Sequence, residues 1–193
     1  ALKIDFLGFI FYEKSPRYVL NHLSLEQISK IHHQGKVGVF VNESVERIVD
    51  ISEKASLNLI QLHGDENEDF INDLKQKLNP KIEIIKVIRI GNQYPNELQK
   101  AINQQPKSIS YFLFDTDSKT FGGTGKIFDW DILNEIEIPL PYFLSGGISL
   151  ENIHQLSTIN QQIFALDVNS KFELEAGIKD LEKIKELISL VKV

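Results

Sequence analysis

Short β-branched or aromatic runs alternate along this chain with segments of helical apolar spacing. The apolar runs predict strands at residues 6–11, 36–41, 57–62, 82–88, 110–115, 141–144 and 163–168. The spacing between and after them predicts helices at 24–32, 45–55, 67–78, 95–102, 129–134, 150–157 and 180–191. In the last of these, Leu181, Ile184, Leu187, Ile188 and Val191 fall on one helical face. Ser44 is placed to cap the helix opening at Val45, and Ser149 to cap the one after Gly147.

Runs such as 6–11 and 36–41 are nearly continuous in apolar residues, as expected of a parallel sheet covered on both faces. Repeated strand–helix units imply a doubly wound sheet or a barrel. Seven units of about 27 residues match the repeat of an eight-unit barrel. The expected fold is therefore an α/β (β/α)8 TIM barrel, one domain over residues 1–193, with its first strand and helix absent from the given chain. Residues 1–5 read as a helix end running into a strand, and the chain opens on Ala1 and holds no methionine, which fits an earlier true start. A barrel short of one strand would expose two sheet edges, which disfavours it as a stable state. The alternative is a genuine seven-stranded open sheet. Nothing reads as a linker or second domain; residues 93–106 form a polar, solvent-facing unit.

Composition narrows the function. A hydrophobic fraction of 42% and a charged fraction of 25% are ordinary for a globular protein. The formal charge of −6 argues against nucleic-acid binding, so an anionic ligand must be held by specific local groups. Cysteine is absent, which excludes disulfides and thiolate metal sites within these residues and fits a cytoplasmic enzyme. The longest apolar run, 6–12, is too short to cross a bilayer, and no basic region precedes it. Asn42-Glu43-Ser44 is then a chance glycosylation sequon.

In barrels the chemistry lies at the C-terminal strand ends and the loops that follow. Those positions hold Tyr12 to Tyr18 with Arg17, Asn42-Glu43-Ser44, Gln61-Leu62-His63-Gly64-Asp65, Asp115-Thr116-Asp117, Ser145-Gly146-Gly147 and Asp167-Val168-Asn169-Ser170-Lys171. Ser145-Gly146-Gly147 lets backbone N–H groups approach a phosphate, with a following helix adding its positive end; a plain glycine turn is the other reading. Gly122-Gly123-Thr124-Gly125-Lys126 fails as a P-loop, because Thr120 and Ile127 stand where Gly and Ser/Thr are required. It reads as a lid over the site or as a loop without a role. Asp115 ends an apolar strand and either acts on substrate, as a general acid if low polarity raises its pKa, or caps a neighbouring loop. Arg17 could clamp a carboxylate or simply be solvated. His63 alone reads as hydrogen-bonded structure, His32-His33 as surface, and no spacing suggests a metal site.

The ordered set of segments resembles the phosphoribosylanthranilate isomerase family of tryptophan biosynthesis. It runs from Gly8-Phe9-Ile10-Phe11-Tyr12 and Ser15-Pro16-Arg17-Tyr18 through Val37-Gly38-Val39-Phe40-Val41-Asn42 and Gln61-Leu62-His63-Gly64. It continues with Phe114-Asp115-Thr116, residues 121–126 with Phe128-Asp129-Trp130, Leu144-Ser145-Gly146-Gly147 and Leu166-Asp167-Val168-Asn169-Ser170. The resemblance implies an Amadori rearrangement of N-(5′-phosphoribosyl)anthranilate by acid/base catalysis, with no cofactor or metal. It implies Asp115 as general acid and Arg17 as the holder of the anthranilate carboxylate. Gly146, Gly147, Asn169 and Ser170 would surround the phosphate, and Gln61, His63 and Asp167 would line the ribose pocket. The family's general base is a Cys in its first strand. This chain has none, so the resemblance places the base in a segment ahead of Ala1 and expects little turnover from these residues alone.

A small phosphorylated substrate is the expected partner, without nucleic acid or membrane, and the expected state is a monomer. Two other readings remain: another phosphosugar isomerase or synthase barrel, and a non-catalytic barrel that binds a phosphate metabolite.

Overall fold

The computed structural model describes residues 2–117 and 128–191; the expected lid or loop at 122–126 lies outside the described residues. The chain forms two compact units, Ala1–Val87 with Gln105–Tyr111, and Ile88–Gln104 with Phe112–Val193.

The first unit alternates β1 (Leu7–Ile10), α1 (Leu25–Ser29), β2 (Lys36–Phe40), α2 (Val45–Lys54), β3 (Leu59–Leu62) and α3 (Glu68–Lys77), then enters β4 (Glu83–Ile90). The strands lie in chain order and pair in parallel, with Val37 opposite Gly8 and Leu59, and Ile60 opposite Ile84. Every residue of β3 is buried, which is why its sequence shows no polar alternation. Phe40, Ile60, Leu62 and Ile84 are fully buried, as are Ile48 and Ile51 of α2 and Ile71 and Leu74 of α3. Ser44 caps α2 as expected, its hydroxyl accepting from the Arg47 N–H.

The helix expected at 24–32 ends at Ser29, and Lys36 supplies the reason. Its buried ammonium donates to the carbonyls of Ile28 and Ser29, each at 3.3 Å, and of Ala55 at 3.1 Å. The first two are carbonyls that a longer α1 would use itself; the third belongs to the C-cap of α2. One strand side chain therefore meets the C-terminal carbonyls of two helices, matching positive charge to their negative ends. Burial holds the Lys36 ammonium below its usual pKa.

The second unit holds the end of β4, α4 (Pro95–Asn103), β5 (Tyr111–Thr116, here from Phe112), β6 (Tyr142–Leu144) and β7 (Ala165–Leu166). β5, β6 and β7 are parallel and adjacent in that order, with Phe114 opposite Leu144, and Leu144 opposite Leu166. A two-stranded antiparallel hairpin follows, β8 (Glu173–Glu175) and β9 (Ile178–Lys179), then α5 (Leu181–Val191).

Two expected α-helices are corrected here. Residues 129–134 and 150–157 give 3-10 turns at Trp130–Glu135 and Ile153–Thr158. In the second, the Ser157 and Thr158 hydroxyls donate to the carbonyls of His154 and Gln155, three residues back, competing with helical bonding. In the first, the Gln161 amide takes the carbonyls of Leu133 and Ile136. The helix expected directly after Gly147 is thus absent, and with it the Ser149 cap and the positive helix end. Instead the Ser149 hydroxyl holds the exposed Glu151 carboxyl below the usual carboxylate range. On α5 only Leu187 is buried, while Leu181 and Val191, on the same helical face, are exposed.

Candidate active site

In the first unit the strand ends carry Arg17, Gln61 and His63. Ser15 anchors the turn before Arg17: its hydroxyl accepts from the Arg17 N–H at 3.2 Å and its carbonyl from Tyr18 at 3.1 Å. Arg17 is half-buried there. Gln61 is buried at 6% exposure and alternates with Ile60 and Leu62, so it points to the opposite face of β3. His63 continues the ladder, its N–H donating to the Phe40 carbonyl at 2.8 Å, and its ring is half-buried.

Behind these residues lies a buried polar network that sequence reasoning missed. Glu66 Oε1 accepts from the N–H groups of Asn42 at 2.9 Å and Gly64 at 3.1 Å. Its Oε2 takes Lys86 Nζ, which also donates to the Gly64 carbonyl. Asn42, at φ +50°, accepts the Asp65 N–H on its side-chain oxygen. A Cβ on Gly64 would strike that oxygen, so the loops after β2 and β3 interlock only around a glycine. Lys86, alone among the apolar residues Ile84 to Ile88, was the readable signal.

In the second unit Asp115 sits near the end of β5, half-buried, with its Oδ1 accepting the Thr116 N–H at 2.8 Å. Gly146, at φ +86°, lies directly against it: a Cβ there would stand 3.2 Å from Asp115 Oδ1 and 2.8 Å from the Thr116 nitrogen. Gly147 also has positive φ, at +75°. Asn152, 6% exposed and not foreseen, pins this turn; its amide donates to the Gly147 carbonyl at 2.9 Å and accepts from the Ser149 N–H at 2.8 Å. Asp167 extends β7 by donating its N–H to the Leu144 carbonyl, and alternation places its side chain on the face of Ala165 and Phe143. Asn169 and Ser170 follow, Ser170 opening a short 3-10 turn that buries Phe172 completely.

The structure thus gathers Asp115, Gly146, Gly147, Asp167, Asn169 and Ser170 at the strand ends of one unit, and Arg17, Gln61 and His63 at those of the other. Among the described residues no group of His, Asp and Glu side chains is arranged to hold a metal ion. Nor is any described helix long and apolar enough to cross a membrane.

Residues 2–190 match the family model for N-(5′-phosphoribosyl)anthranilate (PRA) isomerase. The chain is 36% identical to the N-(5′-phosphoribosyl)anthranilate isomerase of Parabacteroides distasonis, over 99% of this chain and 85% of that protein. Its identity to the Staphylococcus haemolyticus isomerase is 38%, over 99% and 89%. Among solved structures, phosphoribosyl anthranilate isomerase from Thermotoga maritima superposes with a TM-score of 0.75 at 34% identity, covering 97% of this chain and 88% of that one. A phosphoribosyl anthranilate isomerase in complex with reduced 1-(o-carboxyphenylamino)-1-deoxyribulose 5-phosphate superposes at 0.70 and 31% identity, over 96% and 86%. With its family model matched over nearly its whole length, this chain belongs to the N-(5′-phosphoribosyl)anthranilate isomerase family of α/β barrels.

Proposed function

We propose that this protein isomerises N-(5′-phosphoribosyl)anthranilate to 1-(2-carboxyphenylamino)-1-deoxyribulose 5-phosphate, and that Asp115 is its general acid. One observation carries the assignment of the acid. The carboxyl of Asp115 lies against Gly146, in a turn whose two glycines both have positive φ and present no side chain to an approaching anion. A substrate with a phosphate on C5′ and a ring oxygen in the same ribose needs an anion cradle and a proton donor close together.

Asp115 gives its proton to the ribose ring oxygen, the C1′–O bond breaks, and the anthranilate nitrogen takes up the positive charge as a Schiff base. A base then removes the C2′ proton, and the resulting enolamine tautomerises to the ketone. The residues assigned here do not include that base. The change is redox-neutral within one molecule, so proton transfer suffices without metal or cofactor. Arg17 holds the anthranilate carboxylate by a bidentate pair. The N–H groups of Gly146 and Gly147, with Asn169 and Ser170, hold the phosphate, while Gln61, His63 and Asp167 line the ribose. The protein acts as a cytoplasmic monomer, folded as one domain over residues 1–193.

The test is calorimetric binding of the reduced product, paired with anthranilate-fluorescence turnover by the natural protein. Wild type and Asp115→Asn should bind the reduced product alike, while the substitution lowers kcat by about 10²–10⁴-fold. Turnover unaffected by Asp115→Asn would remove Asp115 from the chemistry, and absence of binding by the wild type would overturn the functional reading.

A further inference from the structure

Lys179 Nζ donates to Asn169 Oδ1 at 2.6 Å and to Glu173 Oε1 at 3.0 Å. The Glu173 side chain is only 3% exposed, and its Oε1 also accepts the Gly177 N–H at 3.2 Å. Glu173 and Lys179 are register partners across the β8–β9 hairpin, whose turn passes through Gly177 at φ +89°. So short a hairpin is marginal by itself. Its ion pair and its turn together deliver one ammonium to one carboxamide.

That contact decides which way Asn169 points. An ammonium offers only donors, so it must meet the amide oxygen; the flipped amide would press NH2 against NH3+. With Oδ1 committed to Lys179, the two Nδ2 hydrogens are turned away as donors. We propose that Lys179 is a positioning residue that locks the Asn169 carboxamide with its NH2 group presented to the phosphate of the substrate. Paired with Glu173, Lys179 acts by orienting the amide rather than as a distant countercharge. The inference rests on the reading above that Asn169 lies at the phosphate end.

The test measures Kd for inorganic phosphate and for the reduced product on the full chain, by calorimetry. The variants are Lys179→Met, Lys179→Arg, Asn169→Ala, Asn169→Asp and the double Lys179→Met/Asn169→Ala. Lys179→Met and Asn169→Ala should each weaken both ligands by about tenfold. The double variant should be no weaker than Asn169→Ala alone, because the two residues act as one unit. Lys179→Arg, still a pure donor, should stay within about threefold of wild type. Asn169→Asp keeps the acceptor for Lys179 but removes the NH2 group, so it should lose phosphate while melting no lower than wild type. That variant keeps the proposal testable even if Lys179→Met does not fold.

Wild-type affinity in Lys179→Met beside a weakened Asn169→Ala would overturn the inference and leave the functional reading standing. Additive losses in the double variant would overturn it too, since Lys179 would then act independently of Asn169. Unchanged binding in Asn169→Ala or Asn169→Asp would remove Asn169 from the phosphate end, and the inference with it. No binding by the wild type would instead sink the functional reading.

Discussion

Lys86 and Glu66 form an ion pair at 2.8 Å in which the two side chains are 6% and 1% exposed. A charge pair so enclosed gains little net stability over an apolar pair of similar size, but removing one partner strands the other. Here the cost spreads further, because Glu66 also receives the amides of Asn42 and Gly64. Lys86→Met should therefore lower stability by about 3–5 kcal/mol in urea unfolding. The double variant Lys86→Met/Glu66→Gln should recover part of that loss, since no uncompensated charge remains. Equal or greater loss in the double variant would show that the amide contacts, not the stranded charge, dominate.

Gly146→Ala meets two penalties: a positive φ, and a Cβ at 2.8 Å from the Thr116 nitrogen and 3.2 Å from Asp115 Oδ1. We expect a destabilisation of at least about 1 kcal/mol and a loss of reduced-product affinity of tenfold or more. Gly8→Ala serves as the control: a Cβ there would meet nothing within 4 Å and the residue holds no ligand group in the assignment above, so its ligand affinity should change far less.

Tyr142 lies in β6 at 2% exposure, its hydroxyl donating to the Gln161 carbonyl, and burial pushes its pKa up to about 12. Between the unfolded pKa near 10 and that value, the folded state holds a proton that the unfolded state has released. Stability contributed by this group is complete below about pH 10 and is lost as pH rises through about 12. In Tyr142→Phe the decline of stability between those limits should be shallower by roughly 2 kcal/mol. Parallel curves for the two proteins would refute the linkage.

Ser44→Ala removes the side-chain acceptor for the Arg47 N–H at the start of α2. Thermal unfolding should report a loss of about 1 kcal/mol. Reduced-product binding should not change, because the exposed hydroxyl holds no ligand group in the assignment above.

The elements most legible in the sequence were those buried on both faces. β2 and β3 could be read directly because a parallel strand under helices needs apolar residues in succession. Helix ends were less legible: α1 stops at Ser29 because a lysine in the next strand takes its carbonyls, and no local pattern reports that. The 3-10 turn at Ile153–Thr158 was not legible, because the bonds that compete with an α-helix come from the hydroxyls of Ser157 and Thr158. Asp115 and Gly146 were singled out separately by residue type and strand position, and the geometry brings them into contact. Lys179 gave no signal, since only the hairpin carries it to Asn169. The loop at 122–126 and the roles of individual site residues rest on the resemblance alone.

The three carbonyls gathered by Lys36 have a practical meaning for anyone redesigning this chain. They sit where β2 begins, whereas Asn42 and the Glu66 network follow where it ends. The two ends of the same strand therefore answer to different pressures. Exposed positions in the connections around residues 30–35 and 55–58 can be varied so long as Lys36 keeps Ala55 and Asn58, whose side-chain oxygen and N–H meet its backbone. Selection for heat resistance could work there without disturbing turnover, and a screen confined to those connections should yield stabilised variants whose kinetics are those of the parent.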